Sequence, residues 1–347
     1  MSVKGDVVNA LCGLAAMPPF SSAAERLLLR AGHRFPTSRT VQSFARHFGA
    51  RLIRREREGF ERIVTFDSGG RMHCGPDERV GLPCLMHYFL GTITGQMEDE
   101  RPIVRLFDRL IRPGDVFFDV GANLGFYSLY MGPLCGTSGA VHAFEANPVL
   151  IPHLRRSIKL NEASSKIILN DVAVGRQSNT HLPLYDPDRI GNSSFHAHGW
   201  LDQKKWIKVP VVALDDYVRD QKIARIDAMK IDIEGAELEA LQGMEKTFES
   251  AAPSVIACEL MPSAVSSRAQ SAARPGDIAA FLHERNYIMC AIADADGRLR
   301  LPALSVASIE RETHVVNVAF VQSRLVRERP ELFIDEGSRP SAIAAFS

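Results

Sequence analysis

From about residue 116 to 321 the chain alternates short apolar, β-prone runs with amphipathic helical stretches, and few architectures accept that order. It requires a mostly parallel sheet covered by helices on both faces. The first run, Val116-Phe117-Phe118-Asp119-Val120, passes through Gly121-Ala122-Asn123-Leu124-Gly125 into a helix carrying Phe126, Tyr127, Leu129, Tyr130 and Met131. Two glycines at such a junction let the backbone pass close to a ligand, beside the amide groups and positive end of the helix. Further strands are expected at 140–144, 167–169, 228–231, 255–258, 287–292 and 315–321. Helices are expected over about 148–160, 238–248 and 277–284, and an insertion with β-like pieces at 181–185 and 207–212 encloses the loop 191–196.

Asp119, Glu145, Asp171, Asp232 and Glu259 each fall at or just past the carboxyl end of one of the first five of these strands. In an open α/β sheet that edge is where ligands bind. One acid there often caps the following helix, whereas five converge on one rim. Glu145 stands about twenty residues beyond the glycine loop, where a carboxylate can accept both ribose hydroxyls of an adenosine. Two cofactor classes remain open at this point. A dinucleotide would require a third glycine and a pyrophosphate at the helix end, and Asp119 would repel that charge. An acidic loop suits a cationic ligand, such as the amino group and sulfonium of S-adenosylmethionine.

The flanks are less specific. Residues 1 to about 60 read as helical and basic: Arg26, Arg30, Arg34, Arg39, Arg46, Arg51, Arg54, Arg55 and Arg57 face only Asp6, Glu25, Glu56 and Glu58. This is either a solvated helix face or a dock for an acidic glycan, lipid phosphate or partner. Asp67-Ser68-Gly69-Gly70, between two short alternating runs, is hairpin chemistry. A loop-rich stretch through Gly81, Pro83, Gly91 and Gly95 to Glu98-Asp99-Glu100 is expected next, as a cover for the mouth of a site or a mere connection, then a helix from Pro102 with Val104, Phe107, Leu110 and Ile111 on one side. The expected organisation is an accessory helical and hairpin segment at 1–97, a catalytic domain at 98–324 and a polar tail at 325–347.

A chain of 347 residues with a formal charge of zero makes no electrostatic case for nucleic acid. Its six cysteines lack metal-like spacing and read as reduced, packed thiols of a cytoplasmic protein. Residues 7–17 after Lys4 resemble a short signal sequence, but Asp6 and Asn9 interrupt it, and no run approaches the roughly 18 apolar residues of a membrane span.

The DVGANLG loop, the tip Phe144-Glu145-Ala146-Asn147-Pro148, the segment Asp171-Val172-Ala173-Val174-Gly175, Leu214-Asp215-Asp216 and above all Lys230-Ile231-Asp232-Ile233-Glu234-Gly235-Ala236-Glu237 resemble FkbM-type methyltransferases over about residues 98–322. The resemblance implies a Rossmann-like, seven-stranded, mostly parallel α/β sheet of order 3-2-1-4-5-7-6 with strand seven antiparallel. It also implies S-adenosylmethionine as donor and a hydroxyl oxygen of a sugar, glycolipid or natural product as acceptor. Residue by residue, Asp119, Gly121, Asn123 and Gly125 would hold the methionine part, Glu145 the ribose, and Asp171 with the Val172 N–H the adenine edge. Glu100 matches an upstream family glutamate loosely.

An alcohol acceptor has to lose its proton, so a base must lie within hydrogen-bond reach. Asp232, at the end of the fourth strand, is the first choice and also borders the cofactor; His196 and His198 in the inserted loop are second. Lys230 is expected to pair with a rim acid, and Glu234 and Glu237 to open the next helix, where carboxylates favour the dipole. Asp232 and Glu259 also resemble the metal-carrying arrangement of catechol-type methyltransferases, but no third ligand is evident, so no metal is expected. The alternatives are an NAD(P)-dependent oxidoreductase and a non-catalytic binding module that reaches a partner through the basic N-terminal segment.

Overall fold

The structure is a computed structural model that describes residues 21–34, 39–56, 59–90, 96–188, 193–195, 202–262, 274–293, 297–301 and 303–335. Helices α1 (Ser21–Arg34) and α2 (Arg39–Glu56) lead to a hairpin of β1 (Arg62–Thr65) and β2 (Arg71–Cys74), paired antiparallel across the Asp67–Gly70 turn. Up to Leu90 the expected loop-rich stretch is instead helical, and residues 91–95, with Gly91 and Gly95, lie outside the described residues: α3 (Glu78–Leu90) and α4 (Gln96–Leu110) enclose Pro83 and Pro102. Val80, Cys84, Leu85 and Met86 are fully buried, and that burial outweighs the turn-like composition.

The α/β part follows in the expected order. It runs β3 (Val116–Val120), α5 (Phe126–Cys135), β4 (Ala140–Phe144), α6 (Ile151–Lys159) and β5 (Ile167–Asn170), then the insertion strands β6 (Ala173–Val174), β7 (Thr180–Tyr185) and β8 (Trp206–Val212). After α7 (Leu214–Asp220) come β9 (Ala228–Ile231), α8 (Glu237–Gln242), α9 (Glu245–Ser250), β10 (Val255–Leu260), α10 (Pro275–His283) and β11 (Tyr287–Ala291). The helix expected over 238–248 is thus two. Asp215 accounts for the second start, because its carboxylate accepts the amides of Lys246 (3.1 Å) and Thr247 (2.7 Å). The chain ends in β12 (Leu299–Leu301), α11 (Val306–Ile309), β13 (Val316–Gln322), α12 (Leu325–Glu328) and β14 (Phe333–Asp335).

Seven strands form the main sheet in the order β11-β13-β10-β9-β3-β4-β5, which, counting those seven along the chain, is 6-7-5-4-1-2-3. β13 runs antiparallel to both its neighbours, and the other pairings are parallel. The alternation of the strands divides the core between the two faces: Phe117, Val141 and Ala319 point to one, Phe118, Phe144 and Phe320 to the other.

The N-terminal segment covers the first of those faces. Leu28, Phe48, Leu52, Phe60, Met72 and Leu85 share a single cluster with Phe107, Phe117, Leu129 and Val321. The hairpin is also tied to α6 and the turn after it by polar bonds: the amides of Arg71 and His73 donate to Asn161 Oδ1 (2.8 Å) and Ser157 Oγ (3.0 Å). Described residues of α1, α2, the hairpin and α3 therefore share the sheet's own core, and position 97/98 lies within α4. Of the tail expected over 325–347, residues 336–347 lie outside the described residues and the first part is packed. Leu325 and Leu332 are buried, and β14 pairs in parallel with β12, so apolar side chains anchor residues 325–335. Among the described residues no helix is long and apolar enough to cross a membrane.

Candidate active site

Five of the parallel strands end on one rim, and a cavity of about 310 Å³ opens there, between the β3–α5 loop, the tip of β4, the start of the insertion and the end of β9. The β3–α5 loop sets its floor. The amides of Gly121 and Ala122 both donate to the Phe144 carbonyl (3.0 and 2.9 Å), which turns the chain sharply out of the strand. Gly121 adopts φ +85°, and a Cβ there would stand 1.9 Å from the Asp232 carbonyl oxygen. Gly125, also at φ +85°, answers a different demand, since its Cβ would stand 2.2 Å from the Leu154 side chain on α6. Gly121 brings two parts of the rim together, and Gly125 lets two helices approach.

Asn123 holds a left-handed φ of 53°, which points its amide at Glu145 Oε2 (2.7 Å). The Asn147 amide meets Oε1 at 2.7 Å, so backbone donors grip both oxygens of Glu145. Asn147 is itself buried and donates from Nδ2 to the Pro187 carbonyl (2.8 Å), tying the tip of β4 to the insertion. Burial pushes the Glu145 carboxyl up to about 7, against the pull of its backbone donors. Asp119 lies behind the loop and does not line the cavity. Its Oδ2 accepts from the Ser128 amide (2.9 Å) and hydroxyl (2.5 Å), and its Oδ1 is buried with no partner. Burial raises its carboxyl, and the Lys230 charge opposes that rise.

Lys230 faces Asp119 across the β3–β9 register, and its side chain is buried. Its Nζ donates to Asp232 Oδ2 at 2.5 Å and stands 4.9 Å from the centroid of the Tyr127 ring, so the pairing expected for Lys230 is with Asp232. Lys230, Tyr127 and Asp232 all line the cavity. Glu234 sits in the turn before α8 at a left-handed φ of 55°, not in the helix. There it joins Asp232 and Glu259, each offering an oxygen within 4.8 Å of the others. The structure thus supplies the third carboxylate that the spacing did not reveal. Burial, then the charges of Asp232 and Glu234, hold the Glu259 carboxyl well above the usual carboxylate range. Glu237 opens α8 and accepts the amides of Ile233 (3.0 Å) and Gly235 (3.1 Å), which fixes the turn.

The remaining expected residues divide. Val172 lines the cavity with Ala173 and Val174, but Asp171 does not: it is exposed and ion-paired with Arg155 on α6. The Asp171 carboxylate faces the neighbouring helix α6. His196 and His198 lie outside the described residues, as does the side chain of Glu100. Pro83, in the stretch expected either to cover a site or to connect, lines the cavity; sequence reasoning did not single out Ser193 and Phe195 of the insertion or Arg46, Leu82 and Met86 of the N-terminal segment, which line it too. No local pattern announces them, because only the packing of α2 and α3 against the sheet brings them to the rim.

Residues 119–289 match the methyltransferase FkbM domain family. This stretch, just under half of the chain, is similar to FkbM-type methyltransferases. The matched stretch begins at the acid of the first strand and ends in β11, so it holds every rim acid described above, while α1 to α4 lie outside it. A 31-O-demethyl-FK506 methyltransferase of Streptomyces tacrolimicus is 30% identical over 39% of this chain and 61% of its own length. A hexuronic acid methyltransferase of Haloferax volcanii is 25% identical over 44% of this chain and 60% of its own. The chain thus spans about three fifths of the length of these relatives. Among solved structures, Aeropyrum pernix fibrillarin with bound S-adenosyl-L-methionine aligns at 10% identity and a TM-score of 0.37, covering 76% of this chain and 84% of that one.

Proposed function

We propose that this protein is an S-adenosylmethionine-dependent methyltransferase that methylates a hydroxyl oxygen of a small-molecule acceptor, a sugar or natural product. One observation carries the reading. A buried carboxylate at the tip of β4, Glu145, is held by the Asn123 and Asn147 amides on the cavity wall, where this kind of sheet grips a ribose. The residues present fit such a cofactor. Asn123 Oδ1 is a buried acceptor with no partner on the cavity wall, and a ligand carrying an ammonium group or hydroxyls supplies the missing donor. Glu145, Asp232 and Glu234 on the same wall would repel a pyrophosphate, which disfavours a nicotinamide dinucleotide. The names of the relatives, one a 31-O-demethyl-FK506 methyltransferase and the other a hexuronic acid methyltransferase, support an oxygen acceptor on a small molecule.

S-adenosylmethionine supplies, when bound, a methyl group made electrophilic by its sulfonium. Glu145 would accept the ribose hydroxyls through the lone pairs that its backbone donors leave open. Val172, Ala173 and Val174 would flank the base, and Gly121 and Asn123 the methionine part. Asp232 would take the acceptor's proton at Oδ1, while Lys230 holds Oδ2 and fixes the carboxylate's direction.

Calorimetry tests the cofactor: S-adenosylhomocysteine is expected to bind at roughly micromolar levels, and NAD is not. Binding of NAD alone would sink the reading. Incubating the protein with cell extract and isotopically labelled methyl donor, followed by mass spectrometry, would name the acceptor. With that acceptor, Asp232→Ala should keep S-adenosylhomocysteine binding and lose transfer by about 100-fold or more. Retained turnover would remove Asp232 as the base.

A further inference from the structure

The basic N-terminal segment has its charges distributed unevenly. Arg62 is consumed by Glu25 (2.8 Å) and Glu56 (3.3 Å), and Arg55 by Glu56 (3.0 Å). Arg46, on α2, has no ion pair or hydrogen bond among the described residues, and it lines the cavity. Beside it on that wall stand Leu82, Pro83 and Met86 of α3, an apolar surface held against α2 where Gly49 meets Leu82 and Leu85. The negative groups of the cavity belong to the matched stretch, where Glu145 is gripped by amides and Asp232 by Lys230. One wall is therefore cationic at its edge and apolar within, and it faces the rim on which the methyl group would be presented.

We infer that this wall is the acceptor subsite, and that it selects an amphipathic acceptor whose anionic group, a carboxylate or a phosphate, is met by Arg46 while its apolar part lies on Leu82, Pro83 and Met86. A planar guanidinium matches either anion with two parallel hydrogen bonds. Burying part of the acceptor on three apolar side chains orients it without further polar contacts. The segment outside the matched stretch then serves as the selector, and the acceptor class follows from α2 and α3. This rests on the methyl-transfer reading of the same cavity.

The test measures binding of three probes to the full chain by calorimetry at pH 8, with and without S-adenosylhomocysteine: octyl glucuronide, octyl glucoside 6-phosphate and neutral octyl glucoside. At least one charged probe should bind about tenfold or more tightly than the neutral one, and the two charged arms distinguish carboxylate from phosphate. Arg46→Gln should reduce that preference to less than about threefold, whereas Arg55→Gln should leave it unchanged. Arg55 lies nine residues on, half a turn around the same helix, and carries the same charge. Arg46 is exposed, so its variant should melt with the native protein, and thermal unfolding checks this. Equal binding of neutral and charged probes, no binding of any probe, or an undiminished preference in Arg46→Gln overturns the inference. Loss of S-adenosylhomocysteine binding in the native chain is a separate result that overturns the cofactor reading instead.

Discussion

Two carboxylates on the same rim are held in opposite ways. Glu145, at the tip of β4, is gripped by two backbone amides and, among the described residues, has no cation on it. Asp232, after β9, is held by a lysine and crowded by Glu234 and Glu259. Backbone donors fix a carboxylate rigidly while leaving its other lone pairs open, which suits accepting hydroxyls. A lysine partner and neighbouring acids make the second site sensitive to charge, which suits handling a proton. The two sides meet at Gly121, whose missing side chain lets the Asp232 carbonyl rest against the β3–α5 loop.

The sharpest way to break this arrangement is Gly121→Ala. The new methyl would stand 1.9 Å from a backbone oxygen at a left-handed φ, so neither part can yield cheaply. The combined steric and dihedral cost is ~3 kcal/mol or more. S-adenosylhomocysteine binding should vanish together with a lowered unfolding midpoint, seen by calorimetry and urea titration. Unchanged binding would mean that the loop and Asp232 are not coupled.

Glu145→Gln separates binding from stability. The folded Glu145 carboxyl is raised from 4.5 to about 7, so the buried proton favours the native state. That contribution is fully present below about pH 4.5 and is lost as pH rises through about 7, because the unfolded chain then gives up its proton while the buried group resists. Glu237, also raised to about 7, acts in the same direction. The ligand-free native protein should therefore lose stability between pH 5 and 8. Glu145→Gln should lose ~1–3 kcal/mol less over that range. Cofactor affinity should move the other way, since a ribose hydroxyl donates best to the ionised carboxylate. S-adenosylhomocysteine should bind the native protein more tightly at pH 8 than at pH 6, and Glu145→Gln about 10- to 100-fold more weakly at pH 8. Affinity independent of pH across this interval would remove Glu145 from the ribose site.

Much of the sheet was legible because each strand carries its own signal. The apolar run Val116–Val120 and the acid at the end of β4 can be read without knowing what lies beside them. The cavity's N-terminal wall was not legible: Met86 and Arg46 are 40 residues apart and reach the rim through packing that no local period encodes. Glu234 was misplaced for a related reason. An acid just before a helix looks like a dipole partner, and only the left-handed turn at φ 55° sends it toward Glu259. The helix α3 was hidden by glycine and proline, whose turn preference lost to the burial of Leu85 and Met86.

The smallest expected effect concerns the acid that sequence placed on the adenine edge. Asp171 follows β5 as Glu145 follows β4, yet one carboxylate is enclosed by amides and the other stands in solvent beside Arg155. The side chains of Arg155 and Asp171 are 63% and 39% exposed, so water and salt screen the pair, and its loss costs less than ~0.5 kcal/mol. Asp171→Ala should therefore leave the urea midpoint nearly unchanged and the S-adenosylhomocysteine dissociation constant within about twofold. The backbone of Val172, which does line the cavity, is untouched by that change. A tenfold loss of affinity would show that Asp171 leaves Arg155 to meet the base.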